Sequence, residues 1–535
     1  MGLLSLRLLP LSTSILIASG SVLLYFIVLS IYRLTLHPLA KYPGPIRYKL
    51  SDWPLFWQAY KGNRHIWHLK DHEKYGPIVR IAPNTLSFNT DTALSTIYGP
   101  RTANVKKGEW YKTFDIAAGA YSSFTETDKD KHAVKRRWVT PIFAPESLKA
   151  NEPVIIDTIT KFCDTIKPPS NGWGTKRNGS VDATYLGFDI MGSLVFGHGF
   201  RSVQEEENRD LADSVLPASM FLYWISYIPL VTLVRPLLRT KLFEIVGGKP
   251  VADNNRLIDY GMSQVRIRSS PQDENEEEKE LGGKHFLKRL VGYQDKRTGW
   301  HPTFPDLDTE CLNLMMAGAD PYSSVLGGLF FYLAHNEHAL QKATAEVRST
   351  FGSTDEIING SQLNSCAYLY ACIEETLRRA TPVPSLLPRI VLPGGMSVDG
   401  HQLQAGTVIG VPAYALHHDS KYFPDPWSFR PERWIESESV TKESIDRARR
   451  AFTPFSIGTR QCSGKSLGYL QLKLTMAHIL YRYDMRLAPD EPGLGGGGPD
   501  LEEGREREDE FQMWDALGFG RDGPMLEFKI ASMST

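Results

Sequence analysis

The stretch Pro454–Leu480, PFSIGTRQCSGKSLGYLQLKLTMAHIL, joins a glycine-rich loop that carries one cysteine to an amphipathic, helix-forming segment. In such a loop, backbone N–H groups and the positive end of the helix dipole face the sulfur of Cys462. Both favour the thiolate, which is the form of cysteine that binds metals. The alternative is a buried structural cysteine, which is the commonest role of a lone cysteine.

Three neighbours of Cys462 favour a ligand-binding loop. Gly464 permits the close approach of a flat ligand, Phe455 offers an apolar shield, and Arg460 can pair with an anionic group. No other cysteine or histidine lies within a few residues, so a tetrahedral zinc site is not predicted. A single thiolate suits a metal whose other ligands come from elsewhere, such as haem iron.

The sequence FSIGTRQCSG closely resembles the haem-binding loop of the cytochromes P450, the haem-thiolate monooxygenases, and fills each fixed position of that motif. The resemblance implies a haem cofactor with Cys462 as the axial ligand and with Phe455 and Gly464 beside it. It extends from about residue 43 to the C-terminal PMLEFKI, in the order of the family's motifs. It therefore implies one catalytic domain over residues 43–535 with the mainly α cytochrome P450 fold and small β-sheets.

Three charged residues extend the resemblance. EETLRR places Glu375 and Arg378 three positions apart on a helix, where the two side chains share a face. FRPERW supplies Arg433, which completes the Glu-Arg-Arg cluster that braces the family's core below the haem. The resemblance therefore implies that these three residues are buried and paired.

Four basic residues match positions that contact the haem propionates in the family. His132 and Arg136 come from HAVKRRW. Arg389 comes from LLPRIV, and Arg460 comes from the cysteine loop. For any single arginine a surface salt bridge is the alternative, but the whole set occurs in the family's order.

The segment MMAGADPYSS, Met315–Ser324, lies inside a long helix-forming run and places Pro321 directly after Asp320. A proline inside a helix removes one backbone hydrogen bond and costs about 3 kcal/mol, so the helix either ends at Asp320 or is kinked. The segment resembles the oxygen-binding part of the family's central helix, with Pro321 in place of the usual threonine. That resemblance implies a proton route through Asp320 with water or a substrate hydroxyl, and Ser324 is a weaker candidate. The alternative is a packing kink beside a solvated or salt-bridged Asp320.

The first 42 residues are predicted to form a membrane anchor and a hinge. No charged residue occurs from Leu8 to Tyr32, and a membrane-spanning helix needs about 20 apolar residues. The run is too long for a cleaved signal peptide and lacks a small-residue cleavage site, and its position at the chain end argues against a core helix. Positive charges follow the run, which predicts a cytosolic body. The hinge is HPLAKYPGP.

A second apolar run, Val215–Phe243, is interrupted by three prolines and therefore cannot be one continuous membrane span. It is either core or a surface segment that dips into lipid, where it would form the substrate lid. The net charge of −1 gives no reason to expect a nucleic-acid partner. Five cysteines without paired spacing are typical of a reducing compartment.

Together these features predict a single-pass protein of the endoplasmic reticulum membrane whose catalytic domain faces the cytosol. The resemblance implies a monooxygenase that uses O2 and a separate NADPH-dependent reductase to oxidise, most simply by hydroxylation, an apolar small molecule. The chain resembles fungal members that modify secondary metabolites. The missing threonine leaves coupling, desaturation or rearrangement as an alternative reaction. A haem-free, membrane-anchored binding protein is the alternative from another class, and the intact cysteine loop argues against it.

Overall fold

The computed structural model describes residues 11–114, 119–238, 240–269, 285–516 and 519–532. Within these residues the predicted class, mainly α with small β-sheets, is confirmed. The α-helices are α1 Leu11–Ile31, α2 Ile46–Leu50, α3 Trp53–Tyr60, α4 Arg64–Tyr75, α5 Asp91–Tyr98, α6 Lys129–Val139, α7 Pro145–Ile166, α8 Gly179–Phe196, α9 Arg209–Ile225, α10 Val231–Val234, α11 Lys241–Gly247, α12 Lys249–Arg268, α13 Phe286–Val291, α14 Phe304–His335, α15 Glu337–Thr350, α16 Ser361–Ser365, α17 Ala367–Arg379, α18 Ala413–His417, α19 Lys442–Ala451 and α20 Lys465–Arg482.

Within the described residues the strands are short and form four small sheets. Their bounds are β1 Ile78–Ala82, β2 Thr85–Phe88, β3 Val105–Lys107, β4 Arg177–Asn178, β5 Arg389–Val391, β6 Met396–Val398, β7 His401–Leu403, β8 Val408–Gly410, β9 Tyr483–Leu487, β10 Trp514–Asp515, β11 Phe519–Gly520 and β12 Met525–Ile530. The largest sheet has the order β1-β2-β8-β5-β3, and a second has the order β4-β12-β9. The pairs β6-β7 and β10-β11 are hairpin-sized. Strands distant in sequence therefore meet in both larger sheets.

The central helix α14 runs through the middle of the helical core. Its N-terminus is fixed by a capping box in which Thr303 and Asp306 exchange hydrogen bonds. It packs closely against α8, because a side chain on Gly187 would lie 2.9 Å from the carbonyl oxygen of Ala319. The helix continues through Pro321, so it does not end at the preceding aspartate. Dense packing on this segment stabilises a helix that the proline alone would weaken.

The predicted anchor is a helix, and the predicted hinge is packed against the body. Residues 1–10 lie outside the described part of the chain. The segment Ser12–Leu36 is long and apolar enough to cross a membrane, by length and composition, and none of its apolar window is buried. After it, Leu39 and Tyr42 are buried in the core cluster beside the largest sheet. Arg80 donates to the carbonyl oxygen of Arg33 (2.8 Å), which ties the end of the anchor to β1.

The apolar run Val215–Phe243 divides into a buried part and an exposed part. In α9, Phe221 and Ile225 belong to a small buried cluster. Beyond α9 the chain turns through α10, and Leu230 just before it and Leu233 within it are 73% and 71% exposed. Both alternatives for this run are thus present in one segment. Pro217 lies inside α9, whereas Pro229 and Pro236 lie outside the α-helices.

Candidate active site

The cysteine loop is held against the C-terminal end of α5. The N–H of Cys462 donates to the carbonyl oxygen of Phe455 (2.9 Å), which closes the loop. Gly458 has a φ of 73°, and a side chain there would collide with the carbonyl oxygen of Tyr98. This position therefore requires glycine for both conformation and space. All five cysteines lie in the described part of the chain, and among them only Cys462 has an exposed side chain.

The exposed surface of Cys462 faces an internal cavity of about 380 Å³. Burial raises the pKa of its thiol, and the N–H of Gly464 and the positive charges of Arg136 and Lys465 oppose that rise. The predicted donors are therefore present, but their effect on the thiol is smaller than that of burial. A metal ion bound to the sulfur would supply the remaining positive charge.

The cavity lies between the cysteine loop and the middle of α14. It brings together most of the residues that the sequence indicated, although these come from opposite halves of the chain. The predicted site residues that line it are His132, Arg136, Asp320, Pro321, Phe455, Arg460, Cys462 and Gly464. Arg389 lies behind the wall and donates to the hydroxyl of Tyr111 (2.7 Å).

The arginines beside the cavity have neutral hydrogen-bond partners. Arg460 donates to the backbone carbonyl of Glu126 (2.7 Å). Arg136 donates to a backbone carbonyl of the cysteine loop (2.8 Å). Neither these two nor Arg389 forms an ion pair with a carboxylate within the described residues. The cavity edge therefore carries positive charge that protein carboxylates do not balance.

One member of this positive cluster, Lys107, lies outside every motif recognised in the sequence. Its ammonium group lines the cavity and donates to the carbonyl oxygen of Phe124 (2.5 Å). Burial, together with the charges of Arg389 and Arg460, lowers its pKa well below the usual range. For His132, burial and the charge of Arg460 lower the pKa to about 2. Burial is the largest cause of both depressions, and the neighbouring positive charges add to it. A dianionic group such as the two haem propionates would offset those charges.

Glu375, Arg378 and Arg433 are in contact, as predicted, and all three are buried. Arg378 makes two bonds to the carboxylate of Glu375 (2.7 and 2.9 Å), and Arg433 adds a third (3.0 Å). Trp434 donates to the same carboxylate (3.0 Å). Burial raises the pKa of Glu375, but the two arginine charges outweigh that effect and lower it to about 2.

Asp320 lines the cavity and forms a buried ion pair with Arg521, which also lies outside every motif recognised in the sequence. The guanidinium of Arg521 donates to the Asp320 carboxylate (2.7 Å) and to the hydroxyl of Ser324 (2.8 Å). A third bond joins it to the hydroxyl of Thr184 (3.0 Å). Asp320 is therefore salt-bridged, which was one of the two alternatives, and it also faces the cavity. In the sequence, only charge balance points to a partner for Asp320, because a buried acid requires a basic residue beside it.

Comparison with known proteins agrees with this geometry. The family model for cytochrome P450 matches residues 45–494. The chain is 36% identical to the cytochrome P450 monooxygenase fscF of Fusarium equiseti, over 95% of both chains. It is 34% identical to the cytochrome P450 monooxygenase AKT7 of Alternaria alternata, over 96% of this chain and 97% of that one. It is also 32% identical to the cytochrome P450 monooxygenase poxM of Penicillium oxalicum, over 95% and 93%. The chain therefore belongs to the cytochrome P450 family of haem-thiolate monooxygenases.

Proposed function

We propose that the protein is a membrane-anchored monooxygenase that hydroxylates an apolar small molecule, with electrons from a separate NADPH-dependent reductase. One atom of dioxygen enters a C–H bond of the substrate. The other leaves as water and takes up two protons and the two electrons of NADPH. The observation that carries the proposal is that Cys462 and the Asp320–Pro321 step of α14 line one cavity.

The described residues fit a haem. Cys462 would ligate the iron, while Lys107, His132, Arg136, Arg389 and Arg460 would hold the propionates. When bound, the haem supplies the activation of dioxygen, and the protein supplies position and surroundings. A Cβ on Gly464 would meet the nearest ring atom of Phe143 at 3.4 Å and the Cys462 sulfur at 3.9 Å, which are ordinary van der Waals contacts. Because Gly464 has no Cβ, this space beside the sulfur is open.

Asp320 is proposed to hold or pass protons on the cavity wall. Pro321 has no N–H and no hydroxyl, so it cannot take part in a proton path. A water molecule or a substrate hydroxyl beside the Asp320 carboxylate would replace the missing threonine. Because Arg521 occupies one oxygen of that carboxylate, the transferred proton would use the other. A coupling, desaturation or rearrangement reaction is the second candidate, and the absence of a hydroxyl at residue 321 favours it.

The body is proposed to lie on the cytosolic face of the endoplasmic reticulum membrane, with its lid in contact with lipid. Helix α3 packs on the end of α9 through Tyr60 and Trp224, whose ring centres are 5.6 Å apart. This side of the body exposes large apolar side chains. They include Trp53, Trp57, Leu230, Leu233, Leu242 and Ile245. An apolar substrate could then enter from the bilayer.

We infer that the substrate is a fungal secondary metabolite, because the three relatives described above are monooxygenases of fungi. Product analysis would test this inference directly. Candidate metabolites would be fed to a host that expresses the protein with a reductase, and a host that expresses the Cys462→Ala variant would serve as the control.

The iron ligand gives the test of the proposed function. Reduced protein under carbon monoxide should show the strongly red-shifted Soret band of thiolate-ligated haem. Cys462→Ala should abolish both the band and the activity, whereas Cys366→Ala should keep both, because Cys366 lies at the start of α17, away from the cavity lining. A band that persists in Cys462→Ala would contradict the proposal.

A further inference from the structure

A polar chain lies behind the apolar cavity and ends at Ser385. Ser385 lines the cavity between α17 and β5, and its hydroxyl contacts the carboxylate of Asp515. The same carboxylate oxygen accepts a hydrogen bond from the hydroxyl of Tyr223 (2.7 Å). Behind Tyr223 lies Arg64, which is 1% exposed. The three residues behind Ser385 take no part in the haem site.

The direction of every hydrogen bond in this chain follows from Arg64. A guanidinium can only donate, and it donates to the hydroxyl of Tyr223 (2.7 Å) and to that of Tyr227 (2.6 Å). The oxygen of Tyr223 is therefore an acceptor towards Arg64, and its own proton points to Asp515. Burial raises the pKa of Tyr223 well above the usual range, which keeps that proton in place. The buried charge of Arg64 in turn balances a carboxylate at Asp515.

Ser385 therefore has no proton left for the cavity. A serine hydroxyl has one proton and two lone pairs, and this proton is donated to the carboxylate of Asp515. The oxygen that faces the cavity can then only accept a hydrogen bond. A substrate carbonyl or ether placed there would meet a second acceptor and would lose its bond to water without a replacement.

A second cavity serine also donates to a buried carboxylate. The hydroxyl of Ser123 donates to the carboxylate of Glu310 (2.6 Å), and its backbone N–H donates to the other oxygen (2.7 Å). Glu310 is fully buried and also accepts from the side-chain amide of Asn313 (3.3 Å). Three donors converge on this carboxylate, which again leaves an acceptor on the cavity surface.

We propose that the cavity selects apolar substrates that carry a hydroxyl or an N–H group, which is donated to the hydroxyl oxygen of Ser385. The inference rests on the proposed function and names the substrate class of that site. A ligand that donates is preferred over one that only accepts, because a buried acceptor without its donor is left unsatisfied. The apolar remainder of the substrate fills the rest of the cavity.

The experiment titrates the full-length, haem-loaded protein with cyclododecanol, its methyl ether and cyclododecane, and follows the shift of the Soret band. The alcohol can donate, the ether can only accept, and the hydrocarbon can do neither. Wild-type protein should bind the alcohol about two- to twelvefold more tightly than the ether, which is the usual range for one hydrogen bond. Ser385→Ala should reduce this preference and leave the affinity for cyclododecane unchanged, the double variant with Ser123→Ala should remove it, and Ser385→Thr should retain it.

Ser219→Ala is the matched control. Ser219 lines the same cavity, and its hydroxyl binds no carboxylate among the described residues. The inference is overturned if alcohol and ether bind equally to a protein that shows the thiolate band. It is also overturned if Ser385→Ala keeps the full preference, or if Ser219→Ala reduces it to the same extent. Absence of the thiolate band from the wild-type protein would contradict the proposed function, and the inference with it.

Discussion

The carboxylate of Asp320 and the guanidinium of Arg521 are joined by a 2.7 Å ion pair on the wall of the cavity. Both side chains are almost fully buried, at 9% and 3% exposure. Arg521 comes from the loop before β12, near the C-terminus, so this loop closes over the middle of α14. A proton that passes through Asp320 must therefore share the carboxylate with this arginine.

The first prediction concerns the proton route. Asp320→Asn should slow turnover by about 10²–10⁴-fold, because it removes the acid next to Pro321. Pro321→Thr should restore a hydroxyl and reduce the loss of electrons to peroxide with poor surrogate substrates, with a smaller effect on the true substrate. The measurement is product formed per NADPH consumed. If neither change alters this ratio or the rate, the segment is not the proton route and Pro321 is a packing feature.

The second prediction concerns the ion pair itself. Arg521→Met should destabilise the protein by about 3–5 kcal/mol, because it leaves the carboxylate of Asp320 buried without a partner. The double variant with Asp320→Asn should recover most of that loss, since no charge is then stranded. Urea unfolding of the haem-loaded protein measures both. Equal stability of the single and double variants would show that another group balances the negative charge of Asp320.

The third prediction concerns the bracing cluster. Glu375→Ala should yield little haem-loaded protein, because it strands the charges of Arg378 and Arg433, and breaking such a cluster costs about 3–5 kcal/mol. Glu432→Ala removes a neighbouring, partly exposed acid and serves as the control. Haem content per protein, measured after purification, distinguishes the two variants. Normal haem content with slow turnover in Glu375→Ala would indicate a catalytic or peripheral role.

The fourth prediction concerns acid stability. The N–H of Thr453 donates to His417 (2.9 Å), so that imidazole nitrogen must stay unprotonated. Burial and the charge of Arg378 lower the pKa of His417 to about 3. The unfolded chain binds this proton at about pH 6.5, so stability should fall as the pH drops below that value.

The size of the acid effect follows from these two pKa values. His417 alone should cost on the order of 2 kcal/mol between about pH 7 and pH 5. The uncharged His417→Gln variant should lose less stability over this interval, by denaturant unfolding at each pH. His301→Gln, at an exposed loop position, should behave like the wild type. Identical acid losses in wild type and His417→Gln would refute the prediction.

The fifth prediction concerns topology. Asn178 and Asn359 each begin an Asn-Gly-Ser acceptor sequence for glycosylation. Asn359 is exposed and would accept a glycan if the body were lumenal, whereas the side-chain amide of Asn178 already donates to Asp522 (2.6 Å). A cytosolic body predicts that both are bare. A gel shift on glycosidase treatment of protein from its native host would place the body in the lumen.

Sequence reasoning located the parts of the site that depend on short spacings. The cysteine loop is one short segment, so Cys462, Phe455 and Gly464 could be recognised from their spacing alone. Glu375 and Arg378 are three residues apart on one helix, and their pairing follows from helical geometry. The helical class and the small sheets were likewise predictable, because local periodicity carries that information.

Other parts of the site depend on contacts between segments that are distant in sequence, and no short sequence pattern predicts these contacts. Lys107 is one of many lysines until β3 places it beside Arg389 through the antiparallel pairing with β5. Arg521 acquires its role only when the C-terminal loop closes on α14, and Ser385 only when Asp515 reaches its hydroxyl. Buried charge and the direction of hydrogen bonds appear only in the folded chain.

Leu39 and Tyr42 are buried, so the segment after the apolar helix is packed rigidly against the body and does not act as a flexible linker. With the proposed anchor in a membrane, motion of the body relative to the bilayer surface would be restricted, and the cavity mouth would keep one height above the lipid. The same packing decides where the protein can be trimmed for work in solution. Removal of residues 1–32 would keep Leu39 and Tyr42 in place. Removal of residues 1–42 would expose the apolar surface that they cover beside the largest sheet and would promote aggregation.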